Sequence, residues 1–262
     1  MRPTQTGARA LVLSAAGLTD AGPTRPSNED SVAVRTPEDV SVLVAKGVLA
    51  LVADGMGGHN GGEVASGIAA ARVPEVYYAE ATEPYDALLA AFKAANREIY
   101  DAARSGAGPH GMGTTCTAVA VVNGMAHLAH VGDSRAYLVR GGQVYCLTED
   151  HSATMELVRR GLLTREEAAR HEDRNVILRA MGTHPAVEVQ RWPEPVALWP
   201  GDRLVLCSDG LYGAVTEAEI GAIAPAGAPA EACQKLIRTA IDRQASDNVT
   251  VAILSFGSAE AA

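Results

Sequence analysis

Two apolar runs in this chain end in the same dipeptide. Residues 49–53, Leu-Ala-Leu-Val-Ala, lead into Asp54-Gly55, and residues 203–208, Arg-Leu-Val-Leu-Cys-Ser, lead into Asp209-Gly210. After Asp54 come five glycines, Gly55, Gly57, Gly58, Gly61 and Gly62, so the backbone there turns sharply or approaches something closely. Further acids stand at other strand-like runs: Glu29-Asp30 before residues 31–35, Asp133 after Val131-Gly132, and Asp247 just ahead of the closing run at 249–256. A carboxylate at a strand end is either a turn-former for its own loop or an oxygen ligand for a hard cation, with neighbouring carbonyls free to join it. Five such ends can deliver their acids to one edge. Crowded carboxylates repel and raise one another's pKa, so a cluster of them implies cations. With oxygen donors and no Cys or His pair in register, the chemistry favours Mg²⁺ or Mn²⁺ over Zn²⁺.

Positioning these acids requires strands in blocks. Residues 10–18 and 31–35 are short apolar or alternating runs, and residues 40–53 hold two more around Lys46-Gly47, the pattern of a hairpin. From Glu63 the period becomes helical, with Val64, Ile68 and Ala71 on one face, and Pro74 is expected to end or kink that helix. Pro84 opens a second helix with an apolar stripe from Leu88 to Ala102. Residues 114–122, 126–131, 136–140 and 143–147 read as a meander of strands turned at Asn123-Gly124, Gly132-Asp133 and Gly141-Gly142. Residues 150–182 are polar, charged and helical, a surface insertion with Thr164 and Glu167 at capping-box spacing. Strand signals return at 187–191, 195–198 and 203–207. Thr216 and Glu219 then cap a short helix, residues 230–244 form another with an apolar face, and residues 249–256 make the last strand. Strands in blocks separated by helix pairs indicate an α+β antiparallel sandwich with helices outside, not alternating βαβ units.

Composition narrows the function classes. A length of 262 residues with 47% hydrophobic and 20% charged residues is that of one large globular domain or two small ones. A net charge of −9 argues against nucleic-acid and membrane-surface binding. Cys116, Cys146, Cys207 and Cys233 form no CxxC pair, which points to a reducing, cytoplasmic setting. Neither a spanning apolar run nor a signal-peptide pattern at residues 1–10 is present, so a soluble protein is expected.

Six ordered segments resemble the motifs of PP2C-type (PPM) metal-dependent protein Ser/Thr phosphatases, most closely the compact bacterial members. They are Thr19-Asp20-Ala21-Gly22 with Arg25 and Asn28-Glu29-Asp30, then Val52-Ala53-Asp54-Gly55-Met56-Gly57-Gly58, then Gly113-Thr114-Thr115. Val131-Gly132-Asp133-Ser134-Arg135, Cys207-Ser208-Asp209-Gly210-Leu211 and Ser246-Asp247-Asn248-Val249-Thr250 complete the set. The resemblance covers about residues 10–256. It implies an αββα sandwich of two antiparallel sheets flanked by helix pairs. It also implies one catalytic domain over residues 1–262 with a flap-like insertion at about 150–182. By the same resemblance Asp54 bridges two Mn²⁺ or Mg²⁺ ions, the Gly55 carbonyl helps bind one, and Asp209 and Asp247 complete the other. Asp133, with Asp209, would hold a third. Glu29 and Asp30 look like the pair that orders metal-bound waters, and Arg25 like the phosphate-binding arginine.

The implied activity is hydrolysis of phosphoserine and phosphothreonine by in-line attack of a metal-bridging water. A covalent phospho-enzyme is not needed, in keeping with the lack of a DxDxT nucleophile or a CxxxxxR phosphate loop. The expected partners are phosphorylated protein substrates of a Ser/Thr kinase, with no nucleic acid, no membrane span and a monomeric state. Two alternatives share the fold: a phosphoprotein-binding regulator with little turnover, and a phosphatase dedicated to an anti-sigma-factor antagonist.

One position departs from part of the family. Animal relatives carry a histidine two residues after the bridging aspartate as proton donor to the leaving group, and Met56 stands there here. A water of the metal site is the first choice of donor and His59 the second. Arg135 reads as an ion-pair partner and Asp150-His151-Ser152 as the cap of the insertion helix. His127 and His130 would point to opposite faces of a strand and serve packing or surface. Dinucleotide binding is disfavoured, because the third glycine of GxGxxG counted from Gly55 falls on Asn60 and a Walker lysine is missing. Specificity is expected in residues 150–182, where Arg159, Arg160, Arg165, Arg170, Arg174 and Arg179 alternate with acids.

Overall fold

The computed structural model describes residues 11–57, 61–106, 108–192 and 194–258. The chain begins with strands β1 (Leu11–Asp20) and β2 (Asp30–Arg35), a short helix α1 (Val40–Lys46) and strand β3 (Val48–Met56). Helices α2 (Gly61–Ala79) and α3 (Pro84–Ser105) come next. Strands β4 (Gly113–Thr114), β5 (Cys116–Val122), β6 (Met125–Val131), β7 (Arg135–Arg140) and β8 (Gln143–Cys146) follow. Between β8 and the next strand lie α4 (Ala153–Arg159) and α5 (Arg165–Ala168). Strands β9 (Gln190–Arg191), β10 (Val196–Ala197) and β11 (Arg203–Cys207) lead to the one-turn helix α6 (Asp209–Tyr212). Helices α7 (Glu217–Ile223) and α8 (Pro229–Asp242) precede the final strand β12 (Val249–Ser258).

Antiparallel pairing builds two sheets, one in the order β1-β12-β11-β7-β8 and the other β10-β6-β5-β3-β2, with β4 on β3 and β9 on β6. Strand β3 explains why the central runs are apolar without interruption. Its Leu49, Leu51 and Ala53 face Tyr77, Phe92 and Ile99 of the α2/α3 layer. Its Val48, Ala50 and Val52 face the opposite sheet, where they share a core with Leu204, Leu206 and Leu254. Strands β11 and β12 behave likewise, turning Val205, Val251 and Ile253 toward Leu236 and Ala240 of α8. A strand covered on both faces has no polar alternation to show. The expected four layers, helices, sheet, sheet, helices, are those observed. Among the described residues no helix is long and apolar enough to cross a membrane. The thiols of Cys116, Cys207 and Cys233 are buried and that of Cys146 is exposed.

Several local expectations are corrected. Residues 40–46 are helix, not the first arm of a hairpin. The Asp39 carboxylate accepts from Ser41 N (2.7 Å) and Val42 N (3.3 Å), and this cap outweighs the strand preference of the valines. Pro74 does not end α2, which continues to Ala79 with the proline buried against its neighbours, so tertiary packing offsets the missing N–H. The helix also begins two residues before Glu63. The meander is two hairpins rather than one run. Asn123-Gly124 and Gly141-Gly142 have positive φ at both central positions, the geometry of tight two-residue hairpin turns. At Gly132-Asp133-Ser134 the chain instead leaves one sheet for the other, since β6 pairs with β5 and β7 with β11.

Gly47 closes α1 with φ 66° and ψ −154°, a region that only glycine enters freely. A Cβ there would overlap the Val121 carbonyl oxygen. Gly47→Ala is therefore expected to cost about 2–3 kcal/mol. Urea unfolding with the midpoint unchanged would contradict this.

Candidate metal centre

The strand ends meet along one edge of the sandwich. Asp30 and Asp54 are register partners on neighbouring strands β2 and β3. Asp209 lies just past β11 and Asp247 just before β12, and these two strands are paired in the other sheet. Asp133 occupies the crossing from β6 to β7, so it stands between the sheets. The carboxylates of Asp30, Asp133, Asp209 and Asp247 all raise the pKa of Asp54, which records their proximity to it.

Hydrogen bonds hold the carrying loops. The Asp30 carboxylate accepts from Ser208 Oγ (2.7 Å) and Thr250 Oγ1 (2.6 Å), both from the opposite sheet. Ser208 precedes α6 as its cap residue, yet its hydroxyl serves Asp30 and makes no cap bond. Asp54 N donates to Thr115 Oγ1 (2.9 Å), and the Asp54 carbonyl accepts from Thr115 N (2.8 Å) and Thr114 Oγ1 (2.9 Å). Asn248 ties the N-terminal loop in place: its Oδ1 accepts from Glu29 N (2.8 Å) and its Nδ2 donates to the carbonyls of Ala21 and Ser27. The two Asp-Gly pairs are close approaches, not turns. A Cβ on Gly55 would overlap the Gly62 carbonyl, and one on Gly210 would overlap that of Asn248.

Burial and mutual repulsion act together on the acids. Burial is the main cause that pushes Asp30 up to about 7, against the opposing hydrogen bonds of Thr250 and Ser208. Asp133 rises to about 8 through burial and then Asp209, and Asp209 to about 6 through burial and then Asp247. Asp54 is raised well above the carboxylate range by burial, followed by Asp30 and Asp209. These groups cannot all ionise near neutrality without added positive charge. Asp209 Oδ1 is buried with no hydrogen-bond partner among the described residues, and an orphaned carboxylate oxygen of this kind suits a cation. Among the described residues no three His, Cys, Asp or Glu side chains close into a cage around one point.

Arg25 is half exposed and pairs with Asp247 at 2.6 Å. Glu29 is pushed up by burial, with Arg25 opposing, and its carboxylate lies against Gly62 at the start of α2. Met56 occupies the last register position of β3, opposite Gly113. His59 lies outside the described residues. His130 is buried with Nδ1 on Thr117 Oγ1 (2.8 Å), whereas His127 is partly exposed. Arg135 makes the expected ion pair, gripping Asp150 at 3.0 and 2.7 Å while stacked on the Tyr212 ring. Asp150 is thereby diverted from the capping role expected for it, and Ser152 alone caps α4. Beside the acids runs a cleft of about 750 Å³, whose lining includes Asp209, Asp247 and Tyr212 together with Arg165, Glu166 and Arg174 from residues 150–182.

Several supporting groups escape sequence reasoning. Ser208, Thr250, Asn248 and Thr115 all lie inside the quoted motifs, so the motifs mark their importance, but nothing local tells which acid each one serves. Tyr212, whose hydroxyl donates to the Asp133 carbonyl (3.2 Å), follows Asp209 by three residues and carries no separate signal.

Raised carboxyl pKa values set a sign for stability. Unfolded, these groups titrate near their ordinary value of about 4. Folded, Asp209, Asp30 and Asp133 hold protons up to about 6, 7 and 8. Between those limits the folded chain binds more protons, so in EDTA its stability is expected to fall as pH rises from about 4 to about 8. Mn²⁺ at a hundred times its dissociation constant should flatten that slope and add about 2.7 kcal/mol. Urea midpoints in EDTA that do not vary with pH would contradict it.

Comparison with known proteins places this geometry. The sequence profile of the protein phosphatase 2C family matches residues 26–246. The serine/threonine phosphatase stp of Listeria innocua is 36% identical over 244 residues, 90% of this chain and 93% of that protein. PstP, a serine/threonine protein phosphatase of Mycobacterium tuberculosis, is 37% identical over 93% of this chain, which spans 45% of that longer protein. The solved catalytic domain of PstP, in complex with two manganese ions, superposes with a TM-score of 0.80 at 34% identity, covering 95% of this chain and 100% of the other. With two antiparallel sheets, an edge of converging acids and a family profile that matches most of its length, the chain belongs to the protein phosphatase 2C family.

Proposed function

We propose that this chain is a metal-dependent protein phosphatase that hydrolyses phosphoserine and phosphothreonine on proteins phosphorylated by a Ser/Thr kinase. The observation that carries the reading is the convergence of Asp54, Asp133, Asp209 and Asp247 on one edge, with an oxygen of Asp209 left unpartnered. Asp54 and the Gly55 carbonyl, with Asp209 and Asp247, would hold two Mn²⁺ or Mg²⁺ ions, and Asp133 with Asp209 a third. When bound, such ions acidify water and neutralise charge on a phosphoryl group.

The chain's own residues supply the rest. Asp30, fixed by two hydroxyls, and Glu29, fixed through its backbone to Asn248, can accept hydrogen bonds from waters at the ions and so orient them. Arg25 lies on the solvent side of Asp247, where its guanidinium can pass from that carboxylate to a substrate phosphate with paired hydrogen bonds. Met56 has no proton to donate, so a water of the site is the first choice of proton donor to the leaving-group oxygen. Arg165 and Arg174 face the cleft beside Asp209 and Asp247, which suits a peptide with acidic residues near its phosphorylated side chain.

Phosphate release from a phosphothreonine peptide is expected to be stimulated by Mn²⁺ and to vanish with EDTA, Asp54→Ala or Asp209→Ala. Activity that survives full chelation would overturn the proposal. Arg25→Ala is expected to lower kcat/KM about 10- to 100-fold, the worth of a charged hydrogen bond to the phosphate. Joint replacement of Arg165 and Arg174 by Ala should lower kcat/KM about tenfold for an acidic phosphopeptide and leave a small aryl phosphate unaffected. Equal effects on both substrates would remove the specificity assignment.

A further inference from the structure

The insertion is rooted in the same loops that carry the acids. At its far end Met181 and Thr114 exchange backbone hydrogen bonds (2.8 and 3.1 Å), and the Thr114 hydroxyl donates to the carbonyl of Asp54. At its near end the contact runs through His151. The backbone N–H of His151 donates to the Gly132 carbonyl (2.7 Å), while its ring Nδ1 accepts from Gly132 N–H (3.1 Å). Its own carbonyl accepts from Leu178 N (2.7 Å) on the returning limb of the insertion. One residue thus grips both polar groups of Gly132, immediately before Asp133, and also joins the two limbs.

That grip decides a conformation. Gly132 has φ 109°, in a stretch where the chain passes between sheets and has no strand ladder of its own. Both peptide groups flanking it are oriented by the two bonds from His151. Other restraints act around it: Thr115 packs against Gly132 itself, and after it come Ser134 Oγ on Thr115 Oγ1 (2.7 Å), Thr117 Oγ1 on the Ser134 carbonyl (2.9 Å), Tyr212 on the Asp133 carbonyl, and Arg135 on Asp150. The ring is itself fixed, 6% exposed and 4.9 Å centroid to centroid from His130. An accepting Nδ1 requires the neutral tautomer protonated at Nε2.

We infer that His151 is a positioning residue for Asp133: its paired bonds to Gly132 set the Asp133 carboxylate against Asp209 and tie the root of the insertion to the affinity of the ion that Asp133 would hold. This rests on the reading of Asp133 as a metal ligand. Because coupling between two sites is reciprocal, an ion at Asp133 must in turn stiffen the root.

The test is Mn²⁺ binding, counted by the electron-spin resonance of free ion, in wild type, His151→Leu, His151→Asn and Asp133→Ala. Asn places an acceptor where Nδ1 stands, and Leu keeps bulk without one. The expected result is unchanged tight binding throughout, with a weaker site that is lost in Asp133→Ala, at least tenfold weaker in His151→Leu and restored in His151→Asn. A weaker site of wild-type affinity in His151→Leu, an equal loss at all sites, or no rescue by Asn overturns the inference and leaves Asp133 as a ligand. No change in Asp133→Ala would instead remove the ligand reading, and the inference with it. Should His151→Leu not fold, amide exchange of wild type decides: Mn²⁺ added beyond tight-site saturation should slow exchange at residues 150–153 and 176–178, and unaltered rates overturn the inference.

Discussion

Carboxylates withdrawn from water beside one another repel, and a set of hydrogen bonds from both sheets holds the segments that carry them. Two sheets pack so that their strand ends face one edge, yet the apolar core between them exerts no force on a charged side chain. The work falls to neutral donors. Two hydroxyls hold Asp30, two threonines hold the backbone of Asp54, and one asparagine fastens the loop that carries Glu29. Such donors lower the cost of an anion without cancelling its charge, so the array keeps its appetite for cations. A lysine or arginine among the acids would relieve the repulsion and remove the function. Arg25 meets the array at its exposed rim, where it pairs with Asp247.

Layer order was legible in the sequence because the physics that made it is local. Strands covered on both faces appear as unbroken apolar runs, α3 shows its stripe, and the two Ser/Thr-to-Glu capping boxes form where their spacing says. Failures occurred where one residue outvoted its neighbours. Asp39 turned a valine-rich segment into helix, and packing kept α2 continuous through Pro74. At Gly132-Asp133 a turn dipeptide carries a passage between sheets, and no short-range pattern separates the two.

In the candidate site, the gathering of Asp30, Asp54, Asp133, Asp209 and Asp247 was legible from strand ends and motif order. Their supports were not. Asp30 is held by residues 178 and 220 positions away in the chain, and no window of sequence joins them. In the sequence His151 reads as part of a helix cap because it adjoins one. Its actual partner, Gly132, lies 19 residues earlier. Motif reading finds the residues that need each other's chemistry and misses those that supply each other's geometry.

Asp30 belongs to one sheet by its backbone and to the other by its carboxylate. Its hydrogen bonds therefore act as a rivet through the seam of the sandwich. If one sheet slides over the other, the distance between Asp54 and Asp209 changes, since each rides on a different sheet. An ion held between Asp54 and Asp209 would thus gauge how the two sheets sit together, with the apolar layer between them as part of its calibration. A repacked inter-sheet core can preserve every acid and every degree of stability and still mis-set the gap between Asp54 and Asp209.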